Sequence, residues 1–259
     1  MSEATDFHRQ ALERYRAGDF AGAEQPARHV HERGFQCGTF LLAEICLALE
    51  RPDEARRLFD ACAVDIPSAF LHLGDLTGDP AYYHKGHKRR KPECSYKYGL
   101  HLLHTKKDSP QKSITYFKAA IVQPGPLRGE GFYALAVACL KTPKYCHKFF
   151  DYLAAASCEK FEQADELFEQ IDELLDRAEF EVAGFSNAMT LYQDNPSKAL
   201  ASLKPFLKDG APEAHYAAAF IQCKQPLPQK TKGISSMAAA ANGENAQALL
   251  FFKTVQQFV

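Results

Sequence analysis

No stretch of the 259-residue sequence approaches the roughly 18 consecutive apolar residues needed to span a bilayer, and the first seven residues carry neither a basic start nor an apolar segment. The expectation is a soluble protein that stays in the cytoplasm and does not contact membrane. Strict apolar–polar alternation between turn signals is also missing, which argues against a sheet. No CxxC pair occurs, so the compact Cys/His spacing of a structural zinc site is absent and no metal is expected. Nor is there a phosphate-cradling glycine loop, a nucleophile elbow or an HExxH. With no residues in complementary catalytic roles, the chain reads as a non-enzyme that needs no cofactor. A bulk charge excess is lacking too: 31 Lys and Arg face 32 Asp and Glu, for a net charge of −1.

What the sequence does contain is a recurrence. Six times an aromatic residue or leucine is followed three positions later by glycine or alanine: Phe40/Ala43, Leu71/Gly74, Tyr96/Gly99, Tyr133/Ala136, Phe185/Ala188 and Tyr216/Ala219. The small residues stand 31, 25, 37, 52 and 31 positions apart, a period that marks stacked supersecondary units. Each recurrence is followed by a second amphipathic segment. Ala55, Leu58, Phe59 and Cys62 lie at i, i+3, i+4 and i+7, a stripe suited to packing on a neighbour. Arg51-Pro52-Asp53, Asp108-Ser109-Pro110 and Asp194-Asn195-Pro196 each supply a capping side chain and a helix-starting proline between the halves.

The expected fold is all-α, a right-handed α-solenoid of stacked helical hairpins forming one repeat array over residues 1–259. Hairpins are placed at about 4–34, 37–66, 68–89, 93–123, 127–158, 182–209 and 212–242, and the second helix of the third is expected to be short or irregular because it contains Gly86. The 52-residue gap holds an inserted acidic helix at about 159–181, with Phe161, Ala164, Phe168, Ile171, Leu175 and Ala178 on one side. A closing helix at 245–258 covers the last hairpin. The eight cysteines mostly fall on helical stripes and read as small buried hydrophobes.

These residues resemble the Sel-one-like repeats, a branch of the tetratricopeptide superfamily. Cys94–Gly99, Asp108–Lys112 and Tyr116–Ala120 look like that family's first helix, acidic turn and second helix, and Lys232–Gly243 followed by Ala246 looks like a second helix with its closing glycine. The segments Asp53–Ala61 and Lys198–Phe206 are closer to ordinary tetratricopeptide units. The resemblance implies a non-catalytic scaffold that binds peptides or proteins on a curved surface, often in bacterial signalling, secretion or envelope pathways.

In such repeats the first helices line the inner curve, which makes Phe40, Leu71, Tyr96, Tyr133, Phe185 and Tyr216 candidate partner anchors. The competing reading is packing between hairpins, with the tyrosine hydroxyls still reaching solvent. A second candidate is the run from His84 to Lys112, whose nine Lys and Arg against two carboxylates give +7, with Lys88, Arg89, Arg90 and Lys91 at its centre. Residues 159–181 form the opposite pole at −8. The basic run reads either as a solvated helix face or internal charge match, or as a dock for an acidic protein surface. Nucleic acid stacking on Tyr82, Tyr83, Tyr96 and Tyr98 is a weaker reading, since no recognition motif is present and the isoelectric point is near 6.8. An enzyme of unrecognised class is the remaining alternative. His84, His87, His101 and His104 lack metal-site spacing, and Cys146-His147 would point apart on a helix.

Overall fold

The computed structural model describes residues 3–105, 110–142, 145, 148–177, 186–225 and 229–258. Among them are sixteen α-helices and no strand: α1 Glu3–Arg16, α2 Phe20–Glu32, α3 Gln36–Ala48, α4 Pro52–Cys62, α5 Ala69–Thr77, α6 Pro80–Lys88, α7 Pro92–His104, α8 Pro110–Ala120, α9 Arg128–Leu140, α10 Phe149–Cys158, α11 Glu162–Arg177, α12 Ser186–Asp194, α13 Pro196–Lys208, α14 Pro212–Cys223, α15 Gln229–Asn242 and α16 Ala246–Val255. Six of these open on proline, whose fixed φ suits the first turn and whose missing N–H would have had no helical partner there. Asp79 accepts from the Ala81 N–H, Asn195 from Lys198 and Asn245 from Ala248, capping α6, α13 and α16. The N-cap position of α4 is Arg51, and no side-chain cap bond forms there, contrary to the capping expected of Arg51-Pro52-Asp53. A guanidinium has no acceptor to offer a backbone N–H, and Arg51 instead reaches Glu24 and Glu54 at 2.9 and 3.3 Å.

One joint recurs. Three residues separate α1 from α2, α2 from α3, α3 from α4, α6 from α7, α10 from α11, α13 from α14 and α15 from α16. The middle residue is left-handed each time: Gly18, Gly34, Glu50, Arg90, Lys160, Gly210 and Glu244, with φ between 58° and 80°. The residue after it donates its N–H to the carbonyl five positions back, from Asp19→Arg14 at 3.0 Å to Asn245→Ala240 at 3.0 Å. This double reversal satisfies carbonyls that the helix end leaves open and turns the chain in a fixed direction.

The joint also fixes which residues meet, because positions eight apart face each other across it. A Cβ on Gly38 would lie 2.5 Å from Val30 Cγ1 and 2.9 Å from the His31 nitrogen, and one on Gly86 would collide with Cys94 Sγ. Gly86 is therefore a contact residue inside α6. It does not break that helix, which runs on to Lys88. One position further along, His31 Nδ1 meets Thr39 Oγ1 at 2.8 Å, His87 Nδ1 meets Ser95 Oγ at 2.9 Å, and Ser157 bonds Asp165. Ser95 gives its one hydroxyl proton to the Lys91 carbonyl at 3.0 Å, so His87 must be the donor to it, through Nδ1–H.

The chain divides into two compact units, residues 1–101 and 102–259. In the first, each helix from α1 to α6 packs on the next around Ala11, Ala27, Leu42, Ile45, Phe59 and Leu73. Glu24, Arg28, Arg51 and Glu54 form a closed ring of ion pairs of 2.8–3.3 Å that ties α2 to the start of α4. In the second, α9 to α11 and α14 to α16 share a core of Phe149, Phe150, Leu153, Leu167, Ile171 and Ile234, while α12 and α13 pack with α14 around Leu203 and Ile221. The acidic helix α11 joins α10 through the same left-handed joint as the other helices and buries Ala164, Leu167 and Ile171. Its stripe includes Leu167, absent from the expected set, and residues 178–185 lie outside the described residues.

Cys46, Cys62, Cys94, Cys139 and Cys223 are buried, whereas Cys37 and Cys158 are exposed. Cys146 and His147 lie outside the described residues.

Left-handed φ at a residue with a Cβ is strained, so Glu50→Gly and Glu244→Gly should each raise stability in urea melts by about 0.5–1 kcal/mol. Gly38→Leu should instead lower it by about 1–3 kcal/mol, since α2 and α3 cannot part without opening the core.

Candidate protein-binding surfaces

The six recurrent small residues are all buried. Two of them show directly why: Gly74 faces the Tyr83 ring on α6, and the Ala219 carbonyl lies 2.9 Å from where a Gly233 Cβ would stand. The large residues three positions earlier are held between helices. Phe40 meets Phe59 and His72 edge-on, with ring centroids 5.5 and 5.7 Å apart, and Tyr133 lies 5.4 Å from Phe161. Tyr216 is 5% exposed, and burial pushes its hydroxyl up to about 12, so this hydroxyl does not reach open solvent as expected. The cause is its place in the second unit's core, against which Tyr133 also packs. Tyr96 and Leu71 are half-buried, and Phe185 lies outside the described residues. Phe40, Leu71 and Tyr96 belong to the first unit, Tyr133 and Tyr216 to the second.

The centre of the basic run is a joint. Lys88 ends α6, Arg89 and left-handed Arg90 make the turn, and Lys91 precedes α7. Lys88, Arg89 and Arg90 are exposed, Lys91 is half-buried, and no described carboxylate pairs with any of the four. Cations at a helix C-terminus are favoured by its exposed carbonyls, which accounts for their position without a ligand. Other members of the run are engaged. Lys97 pairs with Asp75 at 3.3 Å, and Lys85 lies over the Tyr82 ring at 4.8 Å. Tyr98 stacks between His84 and His101 at 5.0 and 6.2 Å. On α11, Glu162, Asp165, Glu166, Glu169 and Glu173 form the exposed face opposite the buried stripe.

A third cluster has no counterpart in the sequence reading. Glu44 on α3 and His72 on α5 approach to 3.9 Å, each about a quarter exposed. The His72 ring stacks on Phe59 at 4.5 Å and 7°, and burial lowers its pKa more than nearby Asp75 raises it. Burial raises the Glu44 carboxyl above its usual range, and burial, with a smaller contribution from the Glu44 charge, raises Tyr15 on α1. Asp75 accepts from Tyr83 Oη at 2.8 Å while pairing with Lys97, so one carboxylate ties α5, α6 and α7 together. The available signal was Glu44 itself, the sole charged residue of an otherwise mostly apolar helix.

Buried thiols are poor nucleophiles here, with Cys62 and Cys139 pushed up to about 11 and Cys94 to about 12 by burial. Among the described residues no three His, Cys, Asp or Glu side chains gather where a metal ion could sit, and no helix is long and apolar enough to cross a membrane.

Tyr216→Ala should lower stability by about 3–5 kcal/mol, as expected for an emptied aromatic site, while Arg89→Glu at the C-terminus of α6 costs no more than about 1 kcal/mol. Glu44 supplies a pH test. Its folded pKa is raised, so the ionised form weakens the fold: the penalty is absent below the ordinary value of 4.5 and grows as pH rises through the folded value. Glu44→Gln should therefore gain stability over the parent at neutral pH and lose that advantage at acid pH in paired urea melts. The loss of stability expected below 6.5 from the lowered His72 pKa is common to both proteins. No protein-family model matches the chain, and no curated protein matches it either.

Proposed function

We propose that this chain is a non-catalytic helical-repeat scaffold, of the Sel-one-like branch of the tetratricopeptide superfamily, that binds a protein or peptide partner in a bacterial cytoplasm. Within each unit consecutive helices pack in series, the arrangement of helical-repeat arrays. The buried, weakly acidic thiols fit a structural role for cysteine.

The observation that carries the reading is the α6–α7 joint. Lys88, Arg89 and Arg90 project from a turn whose backbone is held by bonds from Arg89, Arg90 and Lys91 to the α6 carbonyls, with no described carboxylate to neutralise them. A rigid turn presents charge with little ordering cost, and an acidic protein surface is its natural complement. The recurrent aromatics serve mainly as packing residues. Phe40 and Tyr96 keep enough exposure to border a contact, whereas Tyr216 does not.

Replacing Arg89, Arg90 and Lys91 together by glutamate should leave the helical circular dichroism intact and weaken partner capture, with association in the parent slowing as salt rises over a Debye length of about 8 Å. Indifference of a captured partner to both changes would remove the acidic-surface reading. Tight, steeply salt-dependent binding to arbitrary DNA would replace it with nucleic-acid binding.

A further inference from the structure

Glu44 is a physical anomaly within the first unit. It is the single charged residue of a helix whose other side chains include Phe40, Leu41, Leu42, Ile45 and Leu47. Its carboxylate is three-quarters withdrawn from solvent, and no described donor lies within hydrogen-bond distance of either oxygen. The imidazole of His72 stops at 3.9 Å, and its own burial favours the neutral form, so it does not supply a full positive charge at neutral pH. Lys97 is taken by Asp75, and Arg28 and Arg51 are closed into the ring with Glu24 and Glu54. A partly desolvated carboxylate without a donor costs free energy that a leucine or glutamine at the same place would not.

The surroundings of that carboxylate have a definite chemistry. Phe40, one helical turn before Glu44, is half-buried and leans edge-on against Phe59 and His72, which form a stacked pair. Tyr15 of α1 stands close enough for its phenol to feel the Glu44 charge. Aromatic rings around a carboxylate favour a cation carried on an apolar stem: the charge meets the oxygens, and methylene groups cover the rings.

We propose that the first-unit surface around Glu44 seats a lysine or arginine side chain from an extended segment of a protein partner. Its ammonium or guanidinium donates to the Glu44 oxygens, and its stem lies along Phe40. The site rests on the scaffold reading above but uses the opposite charge logic from the α6–α7 joint, so a single partner segment with basic and acidic residues could satisfy both. Charge complementarity decides the occupant. Every described arginine and lysine in contact with the neighbouring carboxylates is already paired, and Glu44 is the one left without a cation of its own among them.

The test titrates the isotope-labelled full chain with a short acetylated, amidated alanine–glycine peptide carrying one arginine, beside the same peptide with norleucine in its place. The arginine peptide should shift the amide resonances of Phe40, Glu44 and His72 at millimolar concentration, and Glu44→Gln should weaken that response about tenfold, the loss of one charge-assisted bond. The glutamate triple variant at Arg89, Arg90 and Lys91 should bind the arginine peptide as the parent does, which separates failure of this site from failure of the basic joint. An equal response to norleucine, full binding by Glu44→Gln, or no shift at about 10 mM peptide overturns the proposal.

Discussion

The left-handed three-residue joint is the constraint on which the rest of the structure depends. A helix that ends in this way cannot drift, because the reversed N–H bonds to its last carbonyls set the direction in which the next helix leaves. Residues eight apart then confront each other at close range, and one of the two must be small or the two must be chemically matched. Val30 faces Gly38 and Gly86 faces Cys94, while Ala156 and Ala164, at the same spacing, are both fully buried. His31 with Thr39 and His87 with Ser95 are the matched alternative. Packing and turn chemistry are therefore one requirement at these joints.

Charge is distributed according to what that packing leaves over. Where carboxylates and guanidinium groups converge on the outside of a contact, as at Glu24, Arg28, Arg51 and Glu54, they close into a ring of ion pairs. Such a ring holds its geometry through several bonds at once, which isolated surface pairs do not. The basic joint and Glu44 differ from that ring, one by exposure and the other by partial burial without a described donor. A charge that the fold itself does not pair is available to a charge of opposite sign on a partner.

How much of this was legible follows from the range of the interactions. The spacing of Ala55, Leu58, Phe59 and Cys62 locates α4 because a stripe repeats over two turns, and the recurrence of small residues finds contact positions because close approach excludes large ones. The histidine–hydroxyl pairs escaped notice because their partners lie across a turn. An eight-residue spacing is invisible to helical periodicity until the joint is known. Gly86 is a related case: α6 is short, as expected, but the role of the glycine in admitting Cys94 across the turn shows in no local pattern.

The sequence by itself determined that the chain is helical, where most helices start, and which faces are apolar, since these depend on proline, capping side chains and i, i+3, i+4 spacing within a few residues. Only the tertiary structure decided that Tyr216 is core while Lys88 to Arg90 stand free of described carboxylates, that Lys97 is spent on Asp75, and that Glu44 is left without a partner. Pairing and burial are properties of residues brought together from different helices. Their outcome is set by which charges the packed helices bring within reach of one another, and no local pattern records that.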